Sequence, residues 1–398
     1  MNRLDHNRLA SVKPLFRRTL EASHPHAYLA NHSLGRMPES VNESLADFAA
    51  SWADHLDESW SDDRWIGQAL RFRNLLAQFV GVPSAENIVP KSSAGQGLRA
   101  VLNAFPPDRT INVVTTTGEF DSIDFILKAY AEKGRVSVRW VGPSADHQGV
   151  PLYESSAVAQ AITEETDLVI VSSVYFTTGQ VLDGIESLVA RAHSCGARVM
   201  VDSYHALGAM PFSLQELGAD FAIGGCYKYL RGGPGAGFLA LAPHILDDEA
   251  WKTLDTGWFA KKNMFGYERT NLAERGHGGQ AWMESTPPVV TAYQAVPGLQ
   301  FVHDLGVAAV RHDTLAALAE WRENMRSHGL KVIEPGEGHA FGNFGLWPHP
   351  APATAADRLR VLGVITDARG GYVRFGPDIF NTSEDLARAA TAAAEVGA

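Results

Sequence analysis

Over residues 40–56 and 66–81, apolar side chains recur at spacings of three and four, which predicts two amphipathic helices. From about residue 90 the rhythm changes. Short, apolar, β-branched runs at Ile111–Thr115, Val136–Trp140, Leu168–Ser173, Arg198–Asp202, Asp220–Ile223 and Gly237–Leu241 alternate with longer helical stretches, among them 94–104 and 183–195. Strands that are apolar throughout are covered on both faces. The pattern therefore predicts an α/β domain built on a mostly parallel sheet. Past residue 300 it shifts again. A long helix is predicted over 306–327, short strands near Lys331–Ile333, Phe344–Trp347 and Tyr372–Phe375, and a closing helix over 383–396. That mixture reads as a smaller α+β domain. At 398 residues the chain exceeds what one core usually holds. The expected division is an N-terminal segment 1–45 packing with the small domain, a large domain 46–300 and a small domain 301–398.

Composition narrows the function classes. Hydrophobic residues at 45% and charged residues at 20% are ordinary for a soluble globular protein. A net charge of -11 argues against non-specific binding to nucleic acid or to an anionic membrane. Met1 to Leu20 mixes charges and holds no apolar stretch of signal-peptide length. No run approaches the ~18 apolar residues of a spanning helix. The two cysteines, Cys195 and Cys226, form neither a CxxC nor a disulfide framework, which fits a reducing compartment. A cytoplasmic location is expected. His24-Pro25-His26 lacks HExxH or cysteine partners, and no Gly-x-Ser-x-Gly elbow exists. Metal-dependent and serine hydrolases therefore have little support.

In an open α/β sheet, ligands bind outside the carboxyl ends of the strands. The Arg198 run ends in Asp202-Ser203-Tyr204-His205, which puts a carboxylate at such an end. The next strand leads into Cys226-Tyr227-Lys228-Tyr229-Leu230 and then the glycine-rich Gly232–Gly237. A lysine between aromatics, just past a strand, is disfavoured as the ammonium ion and becomes nucleophilic enough to form an imine. The glycine run precedes a strand and lacks Gly-Lys-Ser/Thr, so it is no nucleotide loop. Pyridoxal 5'-phosphate needs a lysine for the imine and a carboxylate to keep its ring nitrogen protonated. Lys228 and Asp202, 26 residues apart on neighbouring strand ends, supply both. Its phosphate needs backbone N–H groups at a helix start, for which Lys91-Ser92-Ser93-Ala94-Gly95-Gln96 is the candidate. Phe120 is the candidate for the ring face. Read singly, each residue has a plainer role. Asp202 could be a turn residue, Ser93 a helix cap, Phe120 a core residue and Cys226 a small buried one.

The sequence resembles the kynureninase family of fold-type I pyridoxal-phosphate enzymes, in the class-V aminotransferase superfamily, from about Tyr28 to Thr382. The resemblance is carried by Tyr28-Leu29-Ala30-Asn31-His32-Ser33-Leu34-Gly35, Ser59-Trp60 with Trp65, Thr178-Gly179-Gln180, Asp202-x-x-His205 and Tyr227-Lys228-Tyr229-Leu230. Gly257-Trp258-Phe259, Thr286-Pro287-Pro288 and Arg374-Phe375-Gly376 follow in family order. The resemblance implies that Lys228 is the imine lysine and proton shuttle. It implies that Asp202 pairs with the ring nitrogen beside His205, and that Phe120 stacks on the ring. Ser93, Ala94, Tyr227, Trp258 and Thr286 would hold the phosphate, the last two from the partner subunit of a homodimer. Arg374 would bind the α-carboxylate of an amino-acid substrate, a task that suits its two-pronged fork. The implied reaction is hydrolysis of kynurenine, or a related aryl-ketone amino acid, to alanine and an aryl acid.

Departures from the family pattern are His32 for Asn, Ile123 for an acid, Tyr175-Phe176 for Asn-Tyr, and Ala260-Lys261 for Gly-His. They keep two other readings open: an aminotransferase or β-lyase on another amino acid, and a non-catalytic relative. A cysteine desulfurase is set aside, since that reaction uses a mobile cysteine well downstream of the lysine and none follows Cys226.

Overall fold

The computed structural model describes residues 6–397 apart from positions 249 and 337. Seven strands form the central sheet: β1 (Ile88–Lys91), β2 (Ile111–Thr116), β3 (Val136–Val141), β4 (Leu168–Ser172), β5 (Arg198–Asp202), β6 (Phe221–Gly225) and β7 (Gly237–Leu241). Their spatial order is β1-β7-β6-β5-β4-β2-β3. β7 runs antiparallel to β1 and β6, and every other pairing is parallel. The mostly parallel sheet is the one the apolar runs predict. β1 is the strand the pattern missed. It is short and contains Pro90, which a sheet edge tolerates because the missing N–H breaks no central ladder.

Side chains alternate across the sheet, so each strand feeds two cores. Val169, Val171, Val199, Val201 and Ala222 face one cluster, which includes residues of the helices Trp65–Val80 and Val289–Leu305. Leu168, Ile170, Met200, Phe221 and Ile223 face the other, which includes residues of α1 (Ala94–Leu102) and α2 (Asp121–Glu132). Full burial of each large aliphatic residue stabilises by roughly 1.5–3 kcal/mol before ordering costs. The six helices predicted by periodicity form, with ends within two residues. The helix Val289–Leu305 was not foreseen, because Pro288 and the internal Pro297 read as breakers.

Beyond it, Gly345–Pro348, Tyr372–Phe375 and Asp367–Arg369 make a three-stranded antiparallel sheet with Tyr372–Phe375 in the centre. The expected strand at Lys331–Ile333 does not form. The Ile333 N–H does reach Leu346 O at 3.1 Å, but its carbonyl is taken by the Arg322 side chain, so no ladder propagates. Ala27–Tyr28 pairs in parallel with Val364–Ile365, and Leu29 packs in one cluster with Trp321, Phe375 and Leu386.

The turn after Lys228 is anchored to both ends of the chain. Arg231, in a left-handed backbone conformation, forms a two-pronged buried pair with Asp378 at 3.0 and 2.5 Å. Phe16, Phe301 and Phe380 surround its guanidinium. Gly35 donates its N–H to Tyr227 O, and a Cβ there would collide with Lys228 O. The glycine of the Ser33-Leu34-Gly35 motif is therefore required by close approach to the lysine turn.

Candidate active site

Four strand ends converge on one cavity of about 210 Å³. β5 delivers Asp202, β4 delivers Ser172, the segment after β6 delivers Tyr227 and Lys228, and the segment after β2 delivers Phe120. Ser93, Ala94 and His205 also line it. The structure thus brings together seven of the residues singled out in the sequence: Ser93, Ala94, Phe120, Asp202, His205, Tyr227 and Lys228.

Lys228 is 6% exposed, and its Nζ shares a hydrogen bond with Nε2 of His205 at 2.6 Å. The ring centroids of Tyr204, Phe120 and Tyr227 lie 4.7, 5.7 and 5.8 Å from the amine. Burial pulls the Lys228 pKa well below that of a free lysine, the Asp202 carboxylate pulls it back up, and the Arg374 charge lowers it further. Burial, then the Lys228 charge, keeps His205 neutral. Its Nδ1 is buried and has no partner among the described residues. Asp202 accepts the Tyr204 N–H at 2.8 Å through Oδ1. Burial raises its pKa, while that hydrogen bond and the Lys228 charge oppose the rise.

At the other end of the cavity, Ser93 caps α1 by accepting the Gln96 N–H at 3.2 Å. The first N–H groups of a helix have no acceptor within it, and with the positive end of the helix dipole they suit a phosphate. Gly237 opens β7 against this turn; a Cβ there would come within 2.9 Å of Ser93 N. The residues fit pyridoxal 5'-phosphate. A buried amine, a carboxylate one strand away, an orphaned imidazole nitrogen and a helix start line one cavity that also holds an aromatic wall.

Three residues singled out in the sequence lie elsewhere. Arg374 is 3% exposed and does not line the cavity. It sits opposite Asp367 in the small sheet and binds it through Nε at 2.8 Å and Nη2 at 2.5 Å, while Nη1 donates to Phe176 O. His32 adds a hydrogen bond to Asp367 at 2.8 Å. Burial and the Arg374 charge depress the His32 pKa to about 4. Gly376 makes room for it, since a Cβ there would overlap the His32 ring. Trp258 donates to Thr286 at 3.1 Å, and the pair lies outside the Lys228 cavity of its own chain. Two of the departures from the family pattern, Ile123 and Phe176, do line the cavity, and Phe176 meets Phe120 edge-on at 5.1 Å.

Sequence reasoning passed over Tyr204, Asp367 and Glu119. Tyr204 could have been found from Gly225, since only a residue without a Cβ lets the phenol lie against β6. Asp367 was legible as an acid facing Arg374 across a Gly370-Gly371 turn. Glu119 carried no local signal. Its neighbours come from β2 and β4.

Comparison with known proteins gives the same direction. The family model described as aminotransferase class-V matches residues 27–337. The chain is 28% identical to the kynureninase of Pseudomonas fluorescens over 365 residues, covering 88% of this chain and 83% of that one. It is 27% identical to an uncharacterized aminotransferase of Bacillus subtilis (strain 168), covering 94% and 95%. Among solved structures, a cysteine desulfurase of Thermococcus onnurineus superposes with a TM-score of 0.82 at 18% identity, covering 100% and 98%, which establishes a shared fold. The cofactor is pyridoxal 5'-phosphate, and the chain belongs to the aminotransferase class-V family.

Proposed function

We propose that this enzyme is a kynureninase-like hydrolase. It cleaves the Cβ–Cγ bond of kynurenine or a related aryl-ketone amino acid with water, giving alanine and an aryl acid. The supporting observation is the buried Lys228–Asp202 pair at adjoining strand ends, in a chain similar to kynureninases over most of its length.

Bound pyridoxal phosphate supplies an electron sink for the pair left when a bond to Cα breaks. Asp202, as the anion, would hold the proton on the cofactor's ring nitrogen. Lys228 Nζ would anchor the cofactor and take and return a proton at the substrate Cα. Burial suits it to that task by disfavouring the permanent ammonium. Arg374 uses Nε, one Nη2 hydrogen and one Nη1 hydrogen internally, which leaves one N–H on each terminal nitrogen for the substrate carboxylate. Phe120 would pack on the cofactor ring. Ser93, Ala94 and Tyr227 would hold the phosphate, joined by Trp258 and Thr286 of a second copy in a homodimer. The charge of -11 and the unpaired cysteines support a cytoplasmic enzyme. Among the described residues no helix is long and apolar enough to cross a membrane. The same reading divides the chain into 1–45, 46–300 and 301–398.

A second reading, an aminotransferase or β-lyase on another amino acid, is favoured by one observation. The cavity wall carries Ile123 and Phe176 where the kynureninase pattern has an acid and a tyrosine. Incubating purified enzyme with kynurenine and 3-hydroxykynurenine, and following aryl-acid fluorescence together with alanine, tests the first reading. Both products in equal amounts support it. Keto acid formed with an amino acceptor, and no aryl acid, replaces it with the second.

A further inference from the structure

Glu119 is a buried carboxyl group to which the site reading gives no task. It precedes Phe120 and is 4% exposed. Its Oε1 accepts the Thr116 hydroxyl at 2.7 Å and the Ser172 N–H at 3.3 Å, and its Oε2 lies 2.6 Å from Ser172 Oγ. Among the described residues no lysine, arginine or histidine forms an ion pair with it. The titratable groups that face it are Asp202 from the end of β5 and the Tyr175 phenol from the segment after β4. An ionised Glu119 would be an unpaired buried anion beside a second carboxylate, and a carboxyl so placed keeps its proton. Burial, with a smaller push from Asp202, raises its pKa to about 8 against the hydrogen bonds from Ser172 and Thr116.

Ser172 links this group to the cavity. It lines the cavity wall, is the register neighbour of Asp202 across β4 and β5, and touches both Glu119 oxygens. A serine hydroxyl is both donor and acceptor, so the protonation of Glu119 decides which of the two carries the bridging hydrogen.

We propose that Glu119 acts as a neutral acid and a positioning residue: its O–H donates to Ser172 Oγ, fixes the Ser172 hydroxyl on the cavity wall, and leaves Asp202 as the ionised member of the two carboxyls. The proposal rests on the cofactor site described above and is independent of the reaction subtype.

Infrared difference spectroscopy on the cofactor-free protein, wild type minus Glu119→Gln, tests it. At neutral pH the difference should contain the carbonyl stretch of a protonated carboxylic acid, fading as pH rises through about 8. Ser172→Ala should move that band to higher frequency by removing its hydrogen-bond acceptor, and serves as the second probe if Glu119→Gln fails to fold. In the loaded enzyme, the visible absorbance should show an alkaline transition that Glu119→Gln lacks. Absence of a protonated-acid band that responds to either substitution overturns the proposal. So does an alkaline transition unchanged in Glu119→Gln. A wild-type protein that takes up no cofactor would instead sink the cofactor reading, leaving the infrared result to stand alone.

Discussion

Nζ of Lys228 lies 2.6 Å from Nε2 of His205, within hydrogen-bond distance of a neutral imidazole. The lysine therefore has a neutral partner at hydrogen-bond distance, while the anion, Asp202, acts on it through space. This arrangement keeps the amine ready to lose its proton without leaving it unsatisfied in a buried site. Replacing Lys228 with Ala should abolish turnover and the borohydride-fixable link to the cofactor, while the protein still folds. Mass spectrometry after reduction reads the link directly.

In the proposed mechanism Asp202 would act by charge. Asp202→Asn keeps the shape and removes the anion, so turnover should fall by roughly 100- to 1000-fold, the size of a lost preorganised electrostatic contact. Cofactor affinity should drop with it, measured by fluorescence titration. Turnover within a few-fold of wild type would remove Asp202 from the mechanism.

The Arg374–Asp367 pair separates binding from folding. Arg374→Lys keeps the charge but loses the fork, so KM for the amino acid should rise roughly 10- to 100-fold, the loss of one charged hydrogen bond, with a smaller change in kcat. Asp367→Ala strands a buried guanidinium and should destabilise by about 3–5 kcal/mol in chemical denaturation. Equal stability of Asp367→Ala and wild type would mean that the pair is not structural.

His32 should give acid sensitivity. Its folded pKa is depressed to about 4, so below about pH 6.5 the unfolded chain binds a proton that the native state refuses. Stability falls as pH drops through that window, by up to ~1.4 kcal/mol per pH unit. His32→Asn should flatten this slope, seen as a smaller difference between urea midpoints at about pH 7 and about pH 5. A slope identical to wild type would place the acid sensitivity elsewhere.

Gly225→Ala should force Tyr204 away from Lys228, because the new methyl would overlap the phenol. A loss of about 1–3 kcal/mol is expected from overpacking. Adding Tyr204→Ala should recover part of it, a non-additivity that a double-mutant cycle measures.

By itself, the order of apolar runs determined the layered α/β core, since continuous burial of β4, β6 and β7 leaves a one-dimensional trace. Periodicity likewise located six helices, and local context marked Lys228 and Asp202, whose strand and turn neighbours are contiguous in the chain. Tertiary structure alone decided the pairings. Pro90 became a strand through its edge position, Lys331–Ile333 failed as one because a side chain took its carbonyl, and Arg374 turned inward to Asp367. Glu119 met Ser172 from 53 residues away. Periodicity encodes which face is buried, but a buried polar group is defined by its partner, and partners distant in sequence meet only when the chain closes.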